Sequence, residues 1–423
     1  MERLLASMLS KSSQNAANLA EISTLPAGVG TASRRPELDG LRGIAILSVV
    51  AWHYFAIHMQ LGAHGFFSFA GRIFGLTWSG VDLFFVLSGF LIGGILLDQR
   101  ESDNYFKVFY TRRICRIVPL YYCVLLLFLL SFSLGPTFTG KVPQLYDKWI
   151  PPWCYFTFTQ NFAMFARGDF GPGWLGVTWS LAIEEQFYLL LPFIIRFTPT
   201  RKLPVLLSSL FGLAIGLRIF VSAYHPESFV PTFVLMPCRA DALMLGVLCA
   251  CAARSPGAMD YLARHSIHLY AILGILASAT VWTATGSYQP GSVPMMIYGY
   301  TLLALLYAAL LLIAISEKRG PVGVITRNPV LRWFGLIAYG AYLLHQPVNE
   351  LCHGLLLPNA AHAGKHQEQA VTALAFLLTA GIASLSWICL EKKIIAFGHS
   401  FKYNLKAAAP TEVFRVPSRQ ASR

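Results

Sequence analysis

The sequence predicts an all-α, polytopic integral membrane protein of about ten transmembrane helices with both termini in the cytoplasm. Three observations predict it. Of the 423 residues, 55% are hydrophobic and 13% charged, against about 25% charged in an ordinary soluble domain, so lipid rather than water is the main solvent. Ten apolar runs are long enough to cross, at about 41–59, 78–97, 118–134, 178–197, 203–224, 237–253, 267–285, 294–315, 332–352 and 370–390. With the N-terminus inside, 23 of the 33 Lys and Arg fall in inside segments and five in outside segments, while Arg42, Arg196, Arg218, Arg239 and Arg332 lie in the spans or at their ends. That asymmetry is the positive-inside pattern, and it explains the net charge of +13 without a nucleic-acid partner.

The third and sixth runs are the shortest. The aromatic stretch "WIPPWCYFTFTQNFAMF" at 149–165 holds Pro, Gln and Asn, which favour a re-entrant or surface-lying element over a full span. Residues 1–35 are rich in Ser, Ala and Asn, include Glu2 and Glu21, and lack a continuous apolar core, so they are expected to be a flexible cytoplasmic tail and not a cleaved signal. Residues 36–397 form the membrane domain, and 398–423 a basic tail with Lys402, Lys406, Arg415, Arg419 and Arg423 against anionic lipid. No disulfide framework is expected, because the eight cysteines make no CxxC pair and five fall inside apolar runs; only Cys154 and Cys352 both face the outer side in this topology.

The first run, "LDGLRGIAILSVVAWHYF", carries Arg42 and His53, eleven positions apart. Eleven steps of about 100° return a helix to within roughly 20° of its starting direction, so both side chains lie on one face, roughly 16 Å apart. Singly, Arg42 reads as a snorkelling anchor and His53 as a core histidine. Two unrelated structural residues have no reason to align.

Other polar residues fall in or beside the spans. "FYTRRICRIVPLYY" places Arg112, Arg113 and Arg116 ahead of a membrane entry, either as topology and lipid contacts or as an anion site, since Arg113 and Arg116 at i and i+3 can grip one phosphate. "SGVDLFFVLSGF" carries Asp82 near the outer end of span two, and "TWSLAIEEQFYLLLP" carries Glu184 and Glu185 about two turns into span four, where carboxylates are rare and usually paired. "PCRADALMLG" adds Arg239 and Asp241, and "YGAYLLHQP" adds His345. Together these are expected to line one polar cavity opening outwards, with His53 beneath it and the arginines below. No metal signature is present: there is no HExxH, and His58, His64, His353, His362 and His366 sit in turns or an outer loop.

These motifs, in this order from about Pro36 to Glu391, resemble the acyltransferase 3 family of bacterial membrane proteins, which acylate sugars of surface polysaccharides. The resemblance implies a membrane O-acyltransferase in the cell inner membrane, moving an acyl group, with acetyl expected, from acyl-CoA to a glycan or lipid-linked sugar hydroxyl, alongside other polysaccharide-assembly proteins. It implies that Arg42 and His53 are the family's Arg and His pair and that Arg113 and Arg116 are its RxxR element, holding the phosphates of coenzyme A, with Arg112 beside them. It places Glu184, Glu185, Arg239, Asp241 and His345 where other functional or structural polar residues occur, the last three here taken as substrate-binding. The SGNH-type domain of some relatives does not follow the membrane part in this sequence.

A glycan hydroxyl needs a general base to attack a thioester, and a neutral imidazole at His53 suits that role. A carboxylate behind it is expected to fix the tautomer, with Glu184, Glu185 or Asp82 as candidates. Arg42 would hold the donor or steady oxyanion charge. Direct transfer and an acyl-enzyme both fit. The rival from another class is a multi-span transporter or exporter of an anionic or sugar-linked substrate, which would show internal pseudo-symmetry; none is visible in the sequence. A non-catalytic anchor for an assembly complex has no use for His53.

Overall fold

The computed structural model describes residues 35–58, 66–317, 319–357 and 364–404. The expected tail up to residue 34, His64, His362, the side chain of His58 and the basic tail beyond residue 404 lie outside the described residues. Among the described residues every extended element is a helix: α1 (Pro36–Tyr54), α2 (Gly80–Asp98), α3 (Tyr105–Ser131), α4 (Trp179–Phe197), α5 (Leu203–Tyr224), α6 (Met236–Ala253), α7 (Ser266–Gly286), α8 (Tyr300–Ser316), α9 (Pro329–Leu356), α10 (Lys365–Ser386) and α11 (Lys392–Ser400).

Each apolar run falls on a helix of its own, α1 to α10. Among the described residues, seven helical segments are long and apolar enough to cross a membrane, at 69–98, 105–134, 203–224, 230–253, 266–286, 295–316 and 366–400, the architecture of a multi-pass membrane protein. The helices outside that set are α1, α4 and α9. They carry Arg42 and His53, Glu184 and Glu185, and His345, so candidate site residues are among the polar groups that lower their hydropathy.

Two helix pairs set the frame. α2 and α6 run together at the centre, because a Cβ on Gly89 would collide with the Leu243 carbonyl and one on Gly246 with the Val86 carbonyl. Only glycine permits that approach. Their ends are tied by ion pairs, Asp82 to Arg239 at 2.5 Å and Asp98 to Arg254 at 2.6 Å. α1 and α9 are the second pair. A Cβ on Gly40, Gly43 or Gly335 would meet the main-chain carbonyl of Thr326, Leu331 or Asp39, and Arg327 pairs with Glu37 at 2.5 Å beside these contacts. At the other end of the pair, the Tyr54 hydroxyl donates to the His345 carbonyl at 2.8 Å and bonds Thr379 Oγ1 of α10 at 2.8 Å.

Two regions, the start of α3 and the end of the membrane domain, differ from the sequence expectation, and the 149–165 stretch follows it. α3 begins at Tyr105, well before the apolar run, because no helix breaker precedes Pro119; Arg112, Arg113 and Arg116 therefore lie within a helix and not in the loop ahead of it. The 149–165 stretch forms two short helices, Pro152–Phe156 and Gln160–Arg167, far short of the roughly 20 residues a crossing needs. Asn161 holds them down, donating to the Val234 carbonyl at 3.1 Å and accepting from Gln186 at 2.9 Å. The expected boundary at 397 falls inside α11, which continues to Ser400 because Gly398 lets it pack closely on Cys115 of α3. All eight cysteines, Cys154 and Cys352 included, are free.

Candidate functional site

Three groups of polar side chains sit among these helices. The first is built on α1 and α9. His345 is fully buried, and its Nδ1 lies 2.8 Å from the Tyr342 carbonyl and 3.2 Å from that of Ala341. Its Nε2 is 3.2 Å from Nδ1 of His53, and the rings meet edge to face at a centroid distance of 4.8 Å. His53 Nδ1 also faces the Val49 carbonyl at 2.9 Å. The His53 side chain is half-buried. Tyr342, one turn before His345, donates to the Val177 carbonyl at 2.9 Å and bonds Ser180 Oγ at 2.5 Å, fixing this end of α9 to the start of α4.

The second group lies at the other end of α1. Arg42 is within electrostatic reach of Arg116, Asp39, Tyr188 and Glu184; Arg113 is within reach of Glu185, Tyr188 and Arg42, and Arg116 of Arg113, Glu391, Tyr188 and Tyr339. Tyr188 donates to Glu184 Oε2 at 3.1 Å and is hydrogen-bonded to Ser88. Arg42 keeps 28% of its side chain accessible and sits 4.0 Å from Asp39; Arg113, Arg116, Glu184 and Glu185 are likewise half-buried. Guanidinium groups and carboxylates enclosed by helices yet reachable by solvent make a polar chamber, and three clustered arginines suit a polyanionic ligand.

The third group is closed. Asp82 and Arg239 are each 1% exposed, and the Arg239 guanidinium lies 4.1 Å from the Tyr300 ring centroid and 5.2 Å from that of Phe233. Next to it, Arg218 Nη1 donates to Asp241 Oδ2 at 2.8 Å and to the Cys238 carbonyl at 3.0 Å, while Thr301 donates to the same Asp241 oxygen at 2.7 Å. Cation–π stacking and a matched countercharge are what keep a charge in such a place.

The structure thus regroups the predicted residues. His345 joins His53 directly. Glu184 and Glu185 join Arg42, Arg113 and Arg116 in the chamber, and do not line an outward cavity with Arg239 and Asp241. His53 is hydrogen-bonded to His345 of the facing helix, Glu184 bonds Tyr188 and Asp82 bonds Arg239. Asp82, Arg239 and Asp241 stand apart because the glycine crossing of α2 and α6 closes around them. Arg112 is occupied elsewhere: its Nε and Nη2 donate to the Phe401 carbonyl at 3.1 and 2.6 Å, and it stacks on Tyr403 at 5.0 Å.

Sequence reasoning passed over Tyr188 and Glu391. Tyr188 lies four residues after Glu184, one turn along the same face, a spacing that signals contact. Glu391 ends the π-helical turn Trp387–Glu391 and accepts from Ser386 at 3.0 Å; in sequence it looks like an ordinary boundary carboxylate. Among the described residues, no group of three or more His, Cys, Asp or Glu has the geometry to hold a metal ion.

The sequence model of the acyltransferase-domain family matches residues 35–391. The chain is similar to the peptidoglycan O-acetyltransferase OatA of Listeria monocytogenes, 28% identical over 330 residues that cover 74% of this chain and 49% of that protein. It is also similar to the putative peptidoglycan O-acetyltransferase YrhL of Bacillus subtilis (28% over 331 residues; 74% and 48%) and to the O-acetyltransferase OatA of Staphylococcus aureus (27% over 374 residues; 85% and 57%). The chain spans about half the length of the curated relatives it matches. No solved structure matches it. These matches lend nothing to the transporter reading. With most of its length, both His53 and His345 and the arginine chamber inside the matched region, the chain belongs to the acyltransferase-domain family.

Proposed function

We propose that this protein is a membrane O-acyltransferase that moves an acetyl group from acyl-CoA to a hydroxyl of a cell-surface or secreted glycan. The observation that carries this reading is a single helix, α1, with a half-buried imidazole partnered by His345 near one end and Arg42 in a cluster of guanidinium groups near the other. His53 takes the hydroxyl proton as the new C–O bond forms, and the C–S bond breaks. The proton then passes to the departing thiolate of coenzyme A. Arg113 and Arg116, with Arg42, hold the phosphates, and the thin pantetheine arm reaches along α1 towards His53, which keeps the charged part of the donor at one end. The roughly 16 Å between Arg42 and His53 along the helix is a distance such an arm can span. Glu184 and Glu185 moderate the positive charge of the chamber and orient Tyr188.

In this reading all ten helices α1 to α10 cross the cell inner membrane, both termini are cytoplasmic, and the donor enters from the cytoplasm. The acceptor is a glycan or a lipid-linked sugar reaching His53 from the other side, as the peptidoglycan acceptors named for the relatives suggest, with assembly proteins supplying it.

The test is label transfer from radiolabelled acetyl-CoA to glycan in membranes carrying the wild-type protein or His53→Ala. Transfer by the wild type and its loss in the variant is expected. Equal transfer by both removes His53 as base, and no transfer to any glycan by either overturns the reading.

A further inference from the structure

We propose that His345 is the positioning residue that orients His53, a neutral imidazole standing where a carboxylate stands in most such pairs. The inference rests on His53 being the base, and it follows from which atoms face each other.

Main-chain carbonyls only accept hydrogen bonds. Nδ1 of His345 faces two of them, those of Tyr342 and Ala341, so it carries the proton. In the neutral ring Nε2 then holds a lone pair, and that lone pair points at Nδ1 of His53, 3.2 Å away. Nδ1 of His53 also faces the Val49 carbonyl at 2.9 Å. Two acceptors converge on one nitrogen, which must therefore be the N–H. A doubly protonated His345 would need a lone pair on His53 Nδ1, and that lone pair would face the Val49 oxygen with no proton between them. The arrangement leaves the basic electron pair of His53 on Nε2, the far edge of the ring.

Val49 is on the same helix as His53, one turn back, so its carbonyl permits the ring to swing. His345 comes from α9 and fixes the ring from the side. It is itself held by the Tyr54 hydroxyl on its main-chain carbonyl and by its own Nδ1 bonds. Those bonds also close a proton path, because a carbonyl beyond Nδ1 cannot take a proton onward. His345 orients and does not relay. A neutral partner further avoids placing a second charge in the spans.

Glutamine carries a hydrogen-bonding atom about as far from the main chain as His Nε2, and asparagine one about as far as Nδ1. In membranes supplied with labelled acetyl-CoA and their own glycan, His345→Asn should lower the maximal transfer rate about 10- to 100-fold at unchanged donor KM. His345→Gln should recover most of that loss, because its Oε1 can accept from His53. Rates are normalised to folded protein. If His345→Asn transfers like the wild type while His53→Ala is inactive, the positioning role is overturned but the base stands. Equal loss in His345→Asn and His345→Gln also overturns it, since mere packing would not tell them apart by the acceptor. A readout independent of activity is 15N NMR of histidine-labelled protein in lipid nanodiscs, with His53→Ala and His345→Ala used for assignment. Both rings should show Nδ1–H and an unprotonated Nε2; an Nε2–H on His53 would refute the proposal.

Discussion

Arg112 donates two hydrogen bonds to the carbonyl of Phe401 and lays its guanidinium over the ring of Tyr403. The same segment is pinned by Asn104, whose Nδ2 donates to the Lys402 carbonyl at 2.9 Å and whose Oδ1 accepts from Asn404 N at 2.9 Å. Residues 401–404 are thus strapped to the start of α3. Arg112→Gln should release the strap and speed tryptic cleavage after Lys402 several-fold, with donor KM close to that of the wild type. A large rise in donor KM with unchanged proteolysis would return Arg112 to the donor site.

Arg113 and Arg116 should behave differently. Each charge-assisted contact to a phosphate contributes about 1.5–3 kcal/mol, so losing two with Arg113→Ala and Arg116→Ala together should raise donor KM by about 100-fold or more. Acceptor KM should hold steady. Titration of acetyl-CoA at fixed glycan checks this, and unchanged donor kinetics would reduce these arginines to a topological role.

Asp82 and Arg239 are expected to serve the frame. Removing one partner of a buried ion pair costs about 3–5 kcal/mol, whereas replacing both with apolar groups of similar volume is often neutral. Asp82→Ala should therefore lower the melting temperature of the detergent-purified protein sharply, and Asp82→Leu with Arg239→Met should restore much of it. An Asp82→Ala protein that melts like the wild type but transfers no label would place this pair in the reaction.

The apolar runs made the helices legible, and the eleven-residue spacing made the shared face of Arg42 and His53 legible too. What the sequence could not show is which helices touch. The His53 and His345 contact depends on α1 and α9 lying against each other through Gly40, Gly43 and Gly335, with the two rings 292 positions apart in the chain. Asp82 and Arg239 looked like site residues because charges in spans usually are, but the crossing of α2 and α6 turned them towards each other. Arg112 looked equivalent to its neighbours until α11 docked beside it.

Gly335 offers a test of that dependence. Gly335→Ala drives a methyl into the Asp39 carbonyl and should cost about 1–3 kcal/mol of stability. Transfer should fall further than the folded fraction does, because the histidine pair opens as the helices spread. Gly212→Ala and Gly274→Ala, whose added Cβ atoms meet nothing within 4 Å, are the controls and should be neutral or slightly stabilising. Full activity in Gly335→Ala would detach the reaction from the α1 and α9 contact.

Main chain meets main chain at one end of α1 and α9, and a tyrosine with two histidines joins them at the other, so this pair cannot part without breaking at both ends. α9 is tied to the start of α4 more lightly, by the Tyr342 hydroxyl on Ser180 Oγ and on the Val177 carbonyl, so a separation of helices is expected there before one of α1 from α9. The His53 and His345 rings would then stay together while the start of α4 moves.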